Sequence, residues 1–167
     1  DQDVFVIGQG EKTNDGWLGA SIYQQHHGDD GIYAPPPLDL AAEQKTGSFV
    51  RQQILSGGIS AAHDIADGGL VVAIAEMAMR SGFGADIAVP KTGNLHGWAF
   101  GEDQARFVVS TADSQTLTAA AKEAGIKITK LGMVSDRSEL KFGDNDTISI
   151  TELNTAFEGC IPALMAG

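Results

Sequence analysis

Two stretches carry residues whose types and spacing could do chemistry. The first is SAAHDIADGGL, residues 60–70. It sets two carboxylates, Asp64 and Asp67, against a glycine pair, Gly68 and Gly69, where an apolar helix begins. The first amides of a helix are unpaired donors at the positive end of its dipole, and they seat anions. Carboxylates repel phosphate, so both features serve one ligand only if a metal ion joins them. Mg2+ prefers oxygen ligands and bridges carboxylates to substrate phosphates. Asp64 is then a candidate metal ligand, and Asp67, Gly68 and Gly69 are candidate phosphate contacts. The same residues also read as plain capping, with Asp67 as N-cap and the glycines as a tight turn. The motif alone leaves both readings open.

The second stretch is FGEDQAR, residues 100–106. Glu102, Asp103, Gln104 and Arg106 stand between Phe100 and Phe107, just ahead of an apolar run. Glu102 and Gln104 could fix a polar ligand by directed hydrogen bonds. Glu102 also stands as a candidate metal ligand, and Gln104 and Arg106 as candidate nucleotide contacts. The plain alternative is a solvated loop with Arg106 paired to a nearby acid. The four histidines add little. His26 and His27 read as exposed, His63 as a partner for Asp64, and His96 as part of a glycine-rich loop; they form no ligand set. The sequence has no G-x-S-x-G and no P-loop lysine motif.

These loops need elements to hold them. After Gly69, Leu70, Ala73, Ile74, Met77 and Ala78 make a helical stripe that Gly82 ends, with Glu76 and Arg80 spaced to pair. Arg106–Thr111 reads as the strand behind the second loop. Val4–Ile7 is a buried strand closed by Gly8, and a loop follows over 10–16. Trp17–Gln25 reads as a short helix and 28–37 as a proline-rich loop. Asp39 caps a helix to about Ser56, with Phe49, Val50 and Ile54 inward and Gly47 as a possible break. Ile59–His63 and Ala85–Val89 read as strands. Asp113 caps a helix carrying Leu117, Ala120, Ala121 and Ala124, and Ile126–Val134 follows as a strand. Leu140 and Phe142, then Ile148 and Ile150, alternate around a four-residue GDND loop as a hairpin. Thr151 opens a last helix with Leu153, Ala156 and Phe157, and Ile161, Leu164 and Met165 pack the tail down. The expected fold class is α+β: a mixed, mostly antiparallel sheet covered by helices.

Bulk composition narrows the partners. The 167 residues carry a formal net charge of −11, which disfavours nucleic acid and anionic membrane surfaces. Cys160 is the only cysteine, so no internal disulfide or cysteine-based zinc site forms. Apolar runs are too short for a membrane span and no signal peptide is visible, so the expected location is cytoplasmic. The chain opens Asp1-Gln2-Asp3 without an initiator methionine, and is expected to be one domain, 1–167, from the tail of a longer protein.

HDIADGGLVVAIAEMAM and FGEDQARFVVS resemble the second half of phosphoribosylformylglycinamidine synthases of the small bacterial, multi-subunit form. VFVIGQGEKTNDGWLGASIYQQ is similar to that family's stretch around a Leu-Gly-x-Ser segment. APPPLDLAAEQKTGSFVRQQILSGGISAAHD is similar to its Pro-x-Asp-Leu-x-x-Glu run, and IPALM to its ending. The resemblance covers nearly the whole chain and falls on the C-terminal, aminoimidazole-ribonucleotide-synthetase-like domain. It implies a part in an ATP- and Mg2+-dependent ligase of purine biosynthesis. That enzyme converts formylglycinamide ribonucleotide to its amidine with ammonia from a glutaminase subunit. The implied partners are the N-terminal domains of the same chain, the glutaminase subunit and a small accessory subunit. The resemblance also implies that the catalytic histidine lies in other domains. Asp64, Asp67, Gly68, Gly69, Glu102, Gln104 and Arg106 would then line an auxiliary or vestigial ATP/ADP pocket. Asp103 stands where the family's first-half motif has Ser, and Ala66 where it often has Ser, which argues against tight phosphate binding at this copy.

Overall fold

The computed structural model describes residues 1–8, 16–28, 31 and 33–166. Most of the expected loop at 10–16, and Asp29, Asp30 and Ile32 of the loop at 28–37, lie outside the described residues. Among the described residues seven strands form one sheet: β1 (Asp3–Gly8), β2 (Ala61–Asp64), β3 (Gly84–Ile87), β4 (Arg106–Thr111), β5 (Ile128–Ser135), β6 (Glu139–Phe142) and β7 (Asp146–Ser149). Their order is β2-β4-β1-β5-β3-β6-β7. Every neighbouring pair is antiparallel except β3 and β6. The helices are α1 (Ile22–His27), α2 (Leu40–Leu55), α3 (Gly69–Ser81), α4 (Leu95–Phe100), α5 (Ser114–Glu123) and α6 (Ile150–Ala166). The expected mixed, mostly antiparallel sheet with helical cover is what forms. No helix among the described residues is long and apolar enough to cross a membrane.

The apolar run at the start makes β1 a central strand. Successive side chains of a strand point to opposite faces, so Val4 and Val6 join the core under α3, α4 and α6. Phe5 and Ile7 join a second core with Phe49 and Val50 of α2 and Leu117 and Ala121 of α5. Helices therefore cover both faces. In α3 the stripe is buried as its spacing requires: Leu70 is 0% exposed, Ala73 3%, Ile74 4% and Ala78 5%. Asp39 caps α2 by accepting from the amides of Ala41 and Ala42, both at 3.0 Å. Gly47 does not break that helix.

Several local expectations are corrected. Residues 17–20 are not helical; α1 starts after Ser21, whose hydroxyl accepts from the Gln24 amide. Ile54 is exposed, and Ala42 and Thr46 complete the buried side of α2. His96 lies in α4, which the glycines of that stretch had read as loop; Asn94 caps it at Gly97. Glu76 meets His63 Nε2 at 3.1 Å across to β2, in place of the expected pairing with Arg80. The hairpin loop is shorter by one residue, because Asp146 already pairs with Phe142. Helix α6 begins one residue earlier than Thr151, with a capping box. Ser149 Oγ accepts from the Glu152 amide, and Glu152 Oε2 accepts from the Ser149 amide. Its far half does not pack down: Phe157, Ile161, Leu164 and Met165 are all more than 60% exposed.

Three carboxylates titrate below their ordinary range. Asp3 is held down by hydrogen bonds from Lys130 and Ser114, Asp113 by the Thr116 amide and hydroxyl, and Glu152 by Ser149. A carboxylate with a depressed folded-state value adds stability that is present above its unfolded value and lost as pH falls through the folded one. The melting temperature is therefore expected to be insensitive to these three groups above about pH 4.5 and to drop below it. Asp3→Asn should flatten part of that acid limb, as read by melting curves from about pH 6 to 3.

Candidate functional site

Two loops meet at the start of α3. The first runs from the end of β2 to Gly69. Gly68 and Gly69 both take left-handed backbone, with φ of +81° and +78°, which a residue with a side chain adopts only at a cost. The second is 101–105, ahead of β4. Neighbouring strands bring them together, since β2 pairs with β4 and Asp64 lies opposite Phe107.

Their junction is a carboxylate on an amide. Glu102 Oε1 accepts from the Gly68 N–H at 2.8 Å and from the Ile22 N–H at 2.9 Å. One oxygen thus fastens the start of α3 to the start of α1. No side chain of the 64–69 loop caps α3, so the expected Asp67 cap is absent and Glu102 serves in its place. Asp103 is also engaged: its Oδ2 accepts from the Trp17 N–H and from Arg106 Nη1, each at 3.0 Å. The Glu102 N–H donates back to the Trp17 carbonyl at 3.0 Å. Arg106 is 6% exposed. Burial pushes its guanidinium down from the usual value, and the neighbouring Asp103 charge opposes that shift.

Three of the expected site residues face outward. Asp64, Asp67 and Gln104 are exposed, while Gly68 and Gly69 are buried. The structure therefore brings Gly68 and Glu102 into direct contact, ties Arg106 to Asp103, and leaves Asp64, Asp67 and Gln104 at the surface. Among the described residues no group of three or more His, Cys, Asp or Glu is placed to hold a metal ion.

Sequence reasoning missed four contributors. Glu43 of α2 accepts from the Ala105 N–H at 2.5 Å. Ala105 itself has φ +58°, a rare conformation for a residue with a side chain. Trp17 ties the segment before α1 to both the acidic loop and the proline stretch, where its Nε1 donates to the Ala34 carbonyl at 3.0 Å. Tyr23 of α1 bonds His96 Nδ1 through its hydroxyl at 2.8 Å and stacks on Phe100. Glu43 ends the Pro-x-Asp-Leu-x-x-Glu run and Trp17 and Tyr23 lie in the stretch around Leu-Gly-x-Ser, but each contact joins residues 17 or more positions apart, so these runs do not signal their partners.

Comparisons with known proteins agree with this architecture. A family model described as "AIR synthase related protein, C-terminal domain" matches residues 2–145. The chain is similar to the phosphoribosylformylglycinamidine synthase subunit PurL of Parvibaculum lavamentivorans, with 44% identity over 167 residues. It is 42% identical over 165 residues to the protein of the same name from Methylocella silvestris. Both matches cover 98% of this chain but 22% of the relative, so the chain spans about a fifth of those proteins' length. Among solved structures, T. maritima PurL complexed with FGAR superposes with a TM-score of 0.74 at 17% identity, covering 91% of this chain and 27% of that one. Thiamine-monophosphate kinase from Stenotrophomonas maltophilia reaches 0.53 at 16% identity, covering 84% of this chain and 49% of that one. At such identities the structural likeness is one of fold.

Proposed function

Because the chain belongs to the AIR synthase related protein C-terminal domain family, we propose that it serves as the C-terminal domain of a phosphoribosylformylglycinamidine synthase subunit. The observation that carries this reading is the match over 98% of the chain, at 42–44% identity, to relatives of that name. The whole enzyme would be a cytoplasmic, ATP-dependent ligase of purine biosynthesis. It would convert formylglycinamide ribonucleotide to its amidine with ammonia from a glutaminase partner. Relatives of this fold are described as complexed with ATP and with ADP, and one as a PurLQS assembly. This domain would contribute structure, contacts to the N-terminal domains and accessory subunits, and an auxiliary nucleotide pocket.

In that pocket Asp67, Gly68, Gly69 and Gln104 would face the nucleotide, Arg106 would stand behind them on Asp103 instead of touching it, and Asp64 and Glu102 would hold Mg2+. The donors are hard carboxylate oxygens, which suit that ion. Asp64 is exposed, and Glu102 could contribute only the oxygen that does not cap α3. Two carboxylates fit a Mg2+ site completed by phosphate and water. When bound, the ion would neutralise phosphate charge beside these acids. Arg106 would act through Asp103 by keeping the 101–105 loop in place.

One observation favours a second reading, a docking module without a ligand. The Gly68 amide that a phosphate would seek already holds Glu102 Oε1. Melting the 167-residue chain with millimolar Mg·ADP separates the two. A ligand that binds only the folded state raises the melting temperature by mass action. An upward shift supports the nucleotide pocket. An unmoved transition, at concentrations that shift a relative known to bind ADP, supports docking alone.

A further inference from the structure

A groove of about 1000 Å³ is lined by β2, α3 and α6 together with parts of the sheet beneath them. None of Asp64, Asp67, Gly68, Gly69, Glu102, Gln104 or Arg106 lines it. Its lining includes Met77 of α3, Leu140 of β6 and Phe157 of α6. Phe157 is 63% exposed. With Ile161, Leu164 and Met165 it falls at i, i+4, i+7 and i+8, one face of a helix. The apolar surface thus leaves the groove and continues along α6 for about 12 Å, at 1.5 Å per residue. A contiguous exposed apolar surface of this length marks an interaction site, and its extended shape suits a helix laid into a groove.

Charge names the occupant. The carboxylates of Asp1, Glu76, Asp136 and Glu158 line the groove, against the guanidinium of Arg80, the imidazole of His63 and the α-amino group of Asp1. His63 Nε2 lies 3.1 Å from Glu76, so it offsets that one acid when protonated. Helix α6 carries Glu152 and Glu158 and no Lys or Arg. A second copy of this chain would bring the same acidic helix and a net charge of −11, which opposes self-pairing. An anionic lipid surface is repelled for the same reason. We propose that this groove and the α6 stripe dock a basic amphipathic helix of a partner polypeptide, with apolar residues on one face and Lys or Arg flanking them.

The test uses a synthetic 18-residue Leu/Lys amphipathic helix and its Leu/Glu twin, titrated into the 167-residue chain by calorimetry. The Leu/Lys peptide should bind, weaken as salt rises, and lose at least about tenfold in affinity with Phe157→Ser and with the pair Asp136→Lys/Glu158→Lys. The Leu/Glu twin should not bind. All three positions are exposed, so the variants should keep the wild-type melting temperature, which is checked alongside. Absence of Leu/Lys binding, or binding that these variants leave unchanged, overturns the proposal. Sedimentation that shows a dimer dissolved by Phe157→Ser also overturns it, because a second copy would then cover the face.

Discussion

Gly69→Val is expected to cost the chain more than about 3 kcal/mol and to leave little folded protein near body temperature. A Cβ at Gly69 would stand 2.6 Å from both the carbonyl carbon and the Cα of Phe100, and 3.0 Å from the Ala99 oxygen. All three are backbone atoms of the end of α4, so no side-chain rotation relieves the contact. The residue also holds φ +78°, which costs roughly another 1–2 kcal/mol for a side-chain-bearing residue. Gly68→Val is the internal control. It shares the left-handed backbone, but the three atoms nearest its Cβ all belong to the side chain of Val72, with Cγ2 at 2.7 Å. Urea titration should place the Gly69 variant well below the Gly68 variant. Equal midpoints would show that close approach of α3 to α4 is not what requires glycine there.

That contrast bears on how far the fold and the site can be read from residues alone. The glycine pair is visible in the sequence, and so is the apolar stripe behind it, because helical spacing is a local property. Strand β4 and the Asp113 cap of α5 are legible for the same reason. What each glycine is for is not legible, since Phe100 is brought to Gly69 only by tertiary packing. Helix α4 escapes notice on similar grounds. It contains Gly97, whose missing Cβ would lie 2.7 Å from the Gly16 oxygen; a residue unfavourable to helices in isolation is demanded by a neighbour far away in the chain. The outer half of α6 fails in the opposite direction. Its apolar residues have the right spacing for burial, yet among the described residues nothing buries them.

The acidic loop shows the same limit at the site. Glu102 and Asp103 are visible as charged residues beside a motif that could bind phosphate. Whether they face a ligand or the protein depends on the amides of Gly68, Ile22 and Trp17, two of which come from a segment some 80 residues away. The chain supplies its own anion at the start of α3. A ligand role for this loop thus begins from a filled position, and the melting experiment with Mg·ADP weighs one carboxylate against a phosphate for the same donor.

The ion pair beneath that loop sets the second large effect. Asp103→Ala is expected to destabilise the chain by about 2 kcal/mol, because removing a carboxylate that is itself 29% exposed still leaves the buried Arg106 charge uncompensated. Arg106 is 6% exposed, and its guanidinium does not shed its proton to escape the penalty. The substitution also strands the Trp17 amide, the second donor to Asp103 Oδ2. Adding Arg106→Met should recover at least half of the loss, since an apolar side chain of similar length fills the space without a charge to bury. The double variant would then be more stable than Asp103→Ala alone, and the cycle would show strong coupling between the two positions. Were Asp103→Ala to unfold at the wild-type urea midpoint, the pair would not be what holds the 101–105 loop against β4. Glu102 would then owe its place on the Gly68 amide to the helix dipole and not to its neighbour. A positive result fixes the order of dependence: Arg106 holds Asp103, Asp103 with Trp17 holds the loop, and the loop delivers Glu102 to the start of α3.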